Sequence, residues 1–154
     1  MHDSISRHLD PEAICLGVEA TSNRDVIDLL AGRLAALGRV RPSFAGAVLA
    51  REASMPTGLP LGGAVNVAVP HTDPEHVVKP SLALATLARP VGFGSMDDPD
   101  EEIPVGVVMM LALDNKDAQI DMLREVAELI QRPGALAALA AATSPDEIYA
   151  VLGA

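Results

Sequence analysis

Two histidines five residues apart are the first candidates for chemistry in this sequence. His71 and His76 lie in the segment NVAVPHTDPEHV, residues 66–77, where a strand-like run gives way to an acidic, proline-broken stretch. The other two histidines, His2 and His8, fall in a polar N-terminal segment. We therefore consider His71 and His76 first. A solvated histidine in a polar loop is commonly idle, and that interpretation stays open for both.

A metal site is one alternative for this segment. Its possible ligands are His71, Asp73, Glu75 and His76. A separation of five residues does not place two imidazoles on one helix face, in contrast to the i, i+4 histidine pair of zinc proteases. No cysteine and no third histidine lies nearby. The pattern therefore favours neither a metal nor another cofactor.

Nucleophilic chemistry at His71 is the other alternative. A neutral imidazole attacks phosphorus well at neutral pH, because its unperturbed pKa is about 6.5. Phosphoryl transfer requires mainly positioning and stabilisation of the phosphoryl oxygens. The chain has no GxxxxGK[ST] loop that would bind a nucleotide donor. If phosphoryl transfer occurs, a phosphorylated partner protein is the better donor.

The strands that would position His71 are indicated by apolar runs. AVNVAVP alternates valine with smaller or polar residues, as a strand does, and Pro70 ends it and stiffens the backbone. His71 is therefore predicted at a strand end. AICLGV and SLALATLARPV are further predicted strands, and IPVGVVMMLAL has the continuous apolar character of a buried strand.

Helices are predicted between and after these strands. TSNRDVIDLLAGRLAALG has a capping start at Ser22 or Asn23 and a stop at Gly38. SFAGAVLAREAS, KDAQIDMLREVAELIQ, GALAALAAA and SPDEIYAVL are also predicted to be helical, whereas residues 56–63 form a loop rich in proline and glycine. This alternation predicts an α/β fold with a mixed, mostly central β-sheet and helices on both faces. We expect a single domain over residues 12–154, preceded by a flexible tail over residues 1–11.

Composition excludes several functional classes. The 154 residues are 49% apolar, which is enough for a proper core, and the formal net charge is −10. Few basic and aromatic residues argue against a nucleic-acid partner and favour a protein with a basic face. The single cysteine, Cys15, is expected to pack as a small apolar residue. With neither a signal peptide nor an apolar run of membrane-spanning length, we expect a cytoplasmic protein without direct membrane insertion.

Four stretches together resemble a known family. They are AVLAREASMPTGLPL, VNVAVPHTDPEHV, LARPVGF and VVMMLALDNKDAQIDMLREV, and they span roughly residues 45–127 in the family's order. The chain resembles the enzyme IIA domains of the bacterial phosphoenolpyruvate-dependent sugar phosphotransferase system, within the fructose–mannitol superfamily, and looks most similar to galactitol-type members. The combination of RE, PTG and PH is more specific than a PH dipeptide alone.

The resemblance implies roles for particular residues. His71 matches the phosphorylated histidine, and Arg51 matches an arginine that lies beside it and is expected to contact the phosphoryl oxygens. Independently of the resemblance, Thr72 follows His71 directly and offers a hydroxyl and a backbone N–H to a phosphoryl oxygen. Gln119 stands where mannitol- and fructose-type members carry a second histidine, as galactitol-type members do, and could donate a hydrogen bond. His76 falls where galactitol-type members place a histidine, and is expected near the site as a donor.

The resemblance also implies partners. His71 would accept a phosphoryl group from HPr and pass it to an enzyme IIB that serves a membrane IIC component, in uptake of a sugar or polyol. The first alternative is a regulatory, nitrogen-type protein of the same fold, and the more distant one is a metal-dependent enzyme that uses the HTDPEH segment.

Overall fold

Eleven regular helices and strands make up the part of the chain that can be described. The computed structural model describes residues 3–62 and 65–153, so His2, Gly63 and Ala64 lie outside it, as do Met1 and Ala154. In chain order the elements are α1 (Asp3–His8), β1 (Leu9–Val18), α2 (Asn23–Ala36), α3 (Phe44–Ser54), β2 (Gly58–Leu59), β3 (Asn66–Ala68), β4 (Ser81–Gly94), β5 (Glu102–Ala112), α4 (Lys116–Gln131), α5 (Ala135–Ala141) and α6 (Pro145–Gly153).

Local sequence explains where the main helices begin. The Ser22 side chain accepts a hydrogen bond from the backbone N–H of Asp25 and so caps α2. Asn115 caps α4 in the same way through the N–H of Ala118. Gly38 follows α2 with a φ of 72°, which a glycine adopts without strain. The helix boundaries expected from capping residues therefore agree with the structure to within a residue or two.

The five strands form one mixed sheet in the order β1-β4-β5-β3-β2. β1 runs parallel to β4 and β3 runs parallel to β5, whereas the β4–β5 and β2–β3 pairs are antiparallel. β3 lies beside the long central strand β5, with Ala68 opposite Val108. The segment that carries His71 thus leaves the sheet next to its most buried strand.

Helices cover the sheet on both faces. One hydrophobic cluster joins α2 and α3 to the sheet through residues such as Ile27, Leu30 and Phe44. A second cluster on the opposite face joins α1, α4, α5 and α6 to the sheet through residues such as Met122 and Leu129. The predicted α/β fold, with a central mixed sheet between helical layers, is confirmed.

The N-terminal segment differs from the expected loose tail. Residues 3–8 form α1, where Ile5 is fully buried, and Leu9 opens β1 by pairing with Leu82 of β4. The Tyr149 hydroxyl of α6 donates to the Leu9 carbonyl oxygen. Within the described residues 3–11, the tail prediction is therefore wrong. Burial of Ile5 and Leu9, strand pairing and the Tyr149 hydrogen bond together attach this short segment to the core.

None of the helices in the described residues has both the length and the apolar character needed to cross a bilayer.

Candidate phosphoryl-transfer site

The backbone that leads into His71 is held by hydrogen bonds to neighbouring segments. Val69 donates its N–H to the Thr57 carbonyl oxygen at 3.3 Å, and the Pro70 carbonyl oxygen accepts the N–H of Leu111 at 3.0 Å. Pro70 itself has a fixed φ and no N–H. His71 therefore leaves a rigid segment at the end of β3, as the sequence predicted.

The ring of His71 is oriented by its own backbone. Its Nδ1 lies 2.8 Å from the carbonyl oxygen of Val69. A carbonyl oxygen can only accept a hydrogen bond, so Nδ1 carries the proton in this arrangement. The other nitrogen, Nε2, is left with its lone pair. The site thus presents one defined nucleophilic atom.

Surrounding groups favour the neutral form of this ring by lowering its pKa. Partial burial lowers the pKa of His71, and the Arg51 guanidinium lowers it further. The hydrogen bond to Val69 and the carboxylate of Asp73 act in the opposite direction, but the net shift of this pKa is downward. A neutral imidazole is the form that can attack phosphorus.

Arg51 approaches the histidine from α3. It lies in the last turn of that helix, and its Nη1 is 3.4 Å from Oδ1 of Asp73. The two side chains are 31% and 54% exposed, so water weakens their attraction. Arg51 is therefore a cation beside His71 that is only loosely held by its partner.

Thr72 and Gln119 meet directly after the histidine. Gln119, in the first turn of α4, donates from Nε2 to the Thr72 carbonyl oxygen at 2.9 Å. Thr72 is only 6% exposed. Within residues 3–62 and 65–153, its hydroxyl and its N–H make no hydrogen bond. Gln119 thus holds the backbone, while Thr72 has two unused donors.

His76 is placed differently from the other predicted residues. It ends a short 3₁₀ turn, Pro74–His76, and its Nδ1 lies 2.8 Å from the Ser43 hydroxyl. Ser43 precedes α3, whereas Arg51 lies in the last turn of that helix, roughly 12 Å along its axis. The structure brings Arg51, Thr72 and Gln119 together around His71 and links His76 to the opposite end of α3.

The possible metal ligands of the HTDPEH segment do not converge. No group of three or more histidine, cysteine, aspartate or glutamate side chains suited to a metal ion occurs among the residues that the structure describes.

Two residues, Glu52 and Thr57, belong to the RE and PTG motifs, but the sequence interpretation gave them no role. Glu52 is 5% exposed, and its carboxylate accepts hydrogen bonds from the N–H and the hydroxyl of Thr57. A signal was present, because Phe44, Val48 and Glu52 follow one another at intervals of a helical turn on the buried face of α3. A carboxylate on an apolar helix face requires a partner.

Comparisons with known proteins bear on this arrangement. Residues 7–154 match the family model described as "Phosphoenolpyruvate-dependent sugar phosphotransferase system, EIIA 2". The chain is 32% identical over 146 residues to the 2-O-alpha-mannosyl-D-glycerate-specific EIIABC component of Escherichia coli K12, a match that covers 92% of this chain. It spans only 21% of the length of that relative.

A second relative and a solved structure are similar over most of their own lengths. The galactitol-specific EIIA component of Escherichia coli K12 is 28% identical over 117 residues, which is 76% of this chain and 77% of that protein. Enzyme IIAMTL, in its complex with phosphorylated enzyme IIBMTL from Escherichia coli, superimposes with a TM-score of 0.76 at 26% identity. That match covers 94% of this chain and 96% of the other.

Proposed function

This chain belongs to the EIIA 2 family of the phosphoenolpyruvate-dependent sugar phosphotransferase system, and from that premise we propose that His71 is the residue through which it carries a phosphoryl group. The family predicted from the sequence motifs is confirmed. The chain is a phosphotransferase, a phosphoryl carrier that works through a phosphohistidine. The observation that supports His71 is its ring geometry, with Nδ1 bonded to the Val69 carbonyl and Nε2 left as the nucleophile.

The transfer forms one bond and breaks one bond. The Nε2 lone pair of His71 attacks phosphorus, and the bond between phosphorus and the donor atom breaks, with the electron pair leaving on the donor. Positive charge then develops on the imidazole, whose Nδ1–H remains bonded to the Val69 carbonyl oxygen. That oxygen stabilises the charge without moving, because its peptide is held in the sheet. The second transfer reverses these steps towards the acceptor.

Arg51 and Thr72 stabilise the phosphoryl oxygens in this proposal. The guanidinium of Arg51 exchanges its loose contact with Asp73 for a charge-assisted bond to the phosphoryl group. Thr72 contributes the hydroxyl and N–H that have no other partner in the described residues. The Gln119 side chain donates a hydrogen bond to the Thr72 backbone carbonyl oxygen and so keeps Thr72 in place beside His71. We place His76 outside the transfer, because its ring bonds to Ser43 before the start of α3, whereas Arg51 lies in the last turn of that helix.

The partners are other proteins of the same system. The donor is phosphorylated HPr and the acceptor is an enzyme IIB, which serves a membrane IIC component. The IIB assignment is supported by enzyme IIAMTL, whose structure was solved in complex with phosphorylated enzyme IIBMTL. A formal charge of −10 suits partners with a basic face around their reactive residue.

We assign this protein a role in the uptake of a sugar or polyol, as a phosphoryl carrier located in the cytoplasm. The two relatives compared above are named as components specific for a sugar or polyol, mannosylglycerate in one case and galactitol in the other. These names support uptake over a purely regulatory role. They do not select one substrate, because the two relatives have different substrates.

Intact-mass spectrometry tests the residue assignment. The protein is mixed with phosphoenolpyruvate, enzyme I and HPr, and we expect a gain of about 80 Da, one phosphoryl group. His71→Ala should gain nothing, whereas His76→Ala should gain the full mass at a rate close to that of the wild type. Normal labelling of His71→Ala, or loss of labelling only in His76→Ala, would overturn the assignment.

A further inference from the structure

We propose that Glu52 is a positioning residue for His71, and that it acts through Thr57 and Val69 to fix which ring nitrogen carries the proton. The proposal rests on the proposed function insofar as His71 is the phosphorylated residue. Its first consequence concerns the unphosphorylated ring, which can be observed without any phosphoryl transfer.

Both carboxylate oxygens of Glu52 accept hydrogen bonds from Thr57. Oε2 accepts the backbone N–H of Thr57 at 2.8 Å, and Oε1 accepts its hydroxyl at 2.7 Å. The two residues are 5% and 3% exposed. Burial raises the pKa of Glu52, while the two bonds from Thr57 act against that rise. A carboxylate that makes both bonds to a single residue fixes the position and the orientation of that residue.

The held residue continues directly to the histidine. The Thr57 carbonyl oxygen accepts the N–H of Val69 at 3.3 Å, and the Val69 carbonyl oxygen accepts Nδ1–H of His71 at 2.8 Å. The adjacent antiparallel β2–β3 pairing, Gly58 with Ala68, continues this contact between the two segments. Four hydrogen bonds therefore link the Glu52 carboxylate to the His71 ring by way of Thr57 and Val69.

The last of these hydrogen bonds, from His71 Nδ1 to the Val69 carbonyl oxygen, determines which ring nitrogen can react. While the Val69 carbonyl stays in place, Nδ1 keeps its proton and Nε2 keeps its lone pair. If that carbonyl shifts, the ring can take the other tautomer, in which Nε2 bears a hydrogen and cannot attack phosphorus. Glu52 and Arg51 are adjacent in α3, so one helix end supplies both the orienting carboxylate and the cation beside the ring.

A purely structural role for Glu52 makes a different prediction. In that case its loss would lower the stability of the protein but leave the folded molecules with a normal ring. The distinguishing measurement is ¹⁵N NMR of the His71 ring in the folded protein, which reports the nitrogen that carries the proton. It is read on folded molecules only, so reduced stability does not affect it.

Four variants make the test. Glu52→Ala removes both bonds, and Thr57→Val removes the hydroxyl while keeping the N–H. Glu52→Gln keeps an acceptor and the side-chain length and serves as the conservative rescue. Thr86→Val is the matched control, because Thr86 is equally buried and its hydroxyl accepts the N–H of Gly17 at a different strand pair.

We expect Glu52→Ala and Thr57→Val to show mixed tautomers of His71 and a phosphorylation rate about tenfold lower at saturating donor, with KM unchanged. Glu52→Gln should recover most of the rate, and Thr86→Val should be less stable with a normal ring and rate. If Glu52→Ala does not fold, Thr57→Val decides alone. A single, unchanged tautomer in Thr57→Val would overturn the proposal, even if the rate fell. If instead the ring responds as expected but His71→Ala is still phosphorylated, the failure lies with the proposed function.

Discussion

Replacing Arg51 by alanine tests how the site stabilises the transferred group. The variant removes the guanidinium, which lies in the last turn of α3 and contacts Asp73 at 3.4 Å. A hydrogen bond to a charged group contributes about 1.5–3 kcal/mol. In the proposed role, Arg51 gives up its pair with Asp73 before it binds the phosphoryl oxygens.

The strength of that pair sets the size of the effect. Because the two side chains are 31% and 54% exposed, their ion pair contributes about 0–1 kcal/mol. The net contribution to the transfer is therefore about 0.5–3 kcal/mol, which corresponds to a fall of about 2- to 150-fold in kcat/KM for phosphorylation. Arg51→Lys keeps the charge but loses the planar fork, so we expect an intermediate rate.

The pH profile provides a second readout for Arg51→Ala. The guanidinium lowers the pKa of His71, so its removal should raise that pKa. As the pH is lowered, the phosphorylation rate of the variant should therefore begin to fall at a higher pH than that of the wild type, because the protonated ring is not a nucleophile. Rapid-quench kinetics with phosphorylated HPr over a pH series measures both effects. Arg24→Ala, which removes an exposed arginine paired with Asp28 in α2, is the matched control. A wild-type rate and an unshifted profile in Arg51→Ala would refute the role of this residue.

Three further outcomes follow from the structure. Gln119→Leu removes the hydrogen bond to the Thr72 carbonyl oxygen and should slow phosphorylation several-fold in rapid-quench measurements. A wild-type rate in this variant would contradict a role for that hydrogen bond. Ile5→Ala should lower the free energy of unfolding by about 2–5 kcal/mol in urea titrations, and a change near zero would restore the idea of a loose tail. His71 has a lower pKa folded than unfolded, so the unfolded state binds more protons and stability falls as pH drops below about 6.5. His71→Gln should lack this component of the pH dependence. Identical slopes of the free energy of unfolding against pH in the variant and the wild type would contradict this contribution of His71.

The sequence was informative about elements and about the histidine. Apolar periodicity and capping residues placed the main helices and strands, and the proline before His71 indicated a rigid strand end. These features depend on residues that are close together in the chain. The position of Arg51 beside His71 came instead from the family resemblance, since no local pattern relates the end of α3 to β3.

What the sequence could not show depends on distant pairing. Leu9 is buried because its strand pairs with Leu82, and no periodicity within a polar N-terminal segment predicts that partner. The two-residue strand β2 is too short to leave a pattern. Gln119 was expected to face the phosphoryl group, and its bond to the Thr72 backbone appears only when α4 is packed against the loop.

The assignment of Nε2 as the reacting atom is tested most directly by NMR of the phosphorylated, ¹⁵N-labelled protein. Coupling between phosphorus and the ring nitrogens of His71 identifies the modified atom. The Val69 contact leaves Nδ1 protonated, so we expect the coupling at Nε2, with Nδ1 still bearing its hydrogen. A phosphoryl group on Nδ1 of His71, or on His76, would contradict the account.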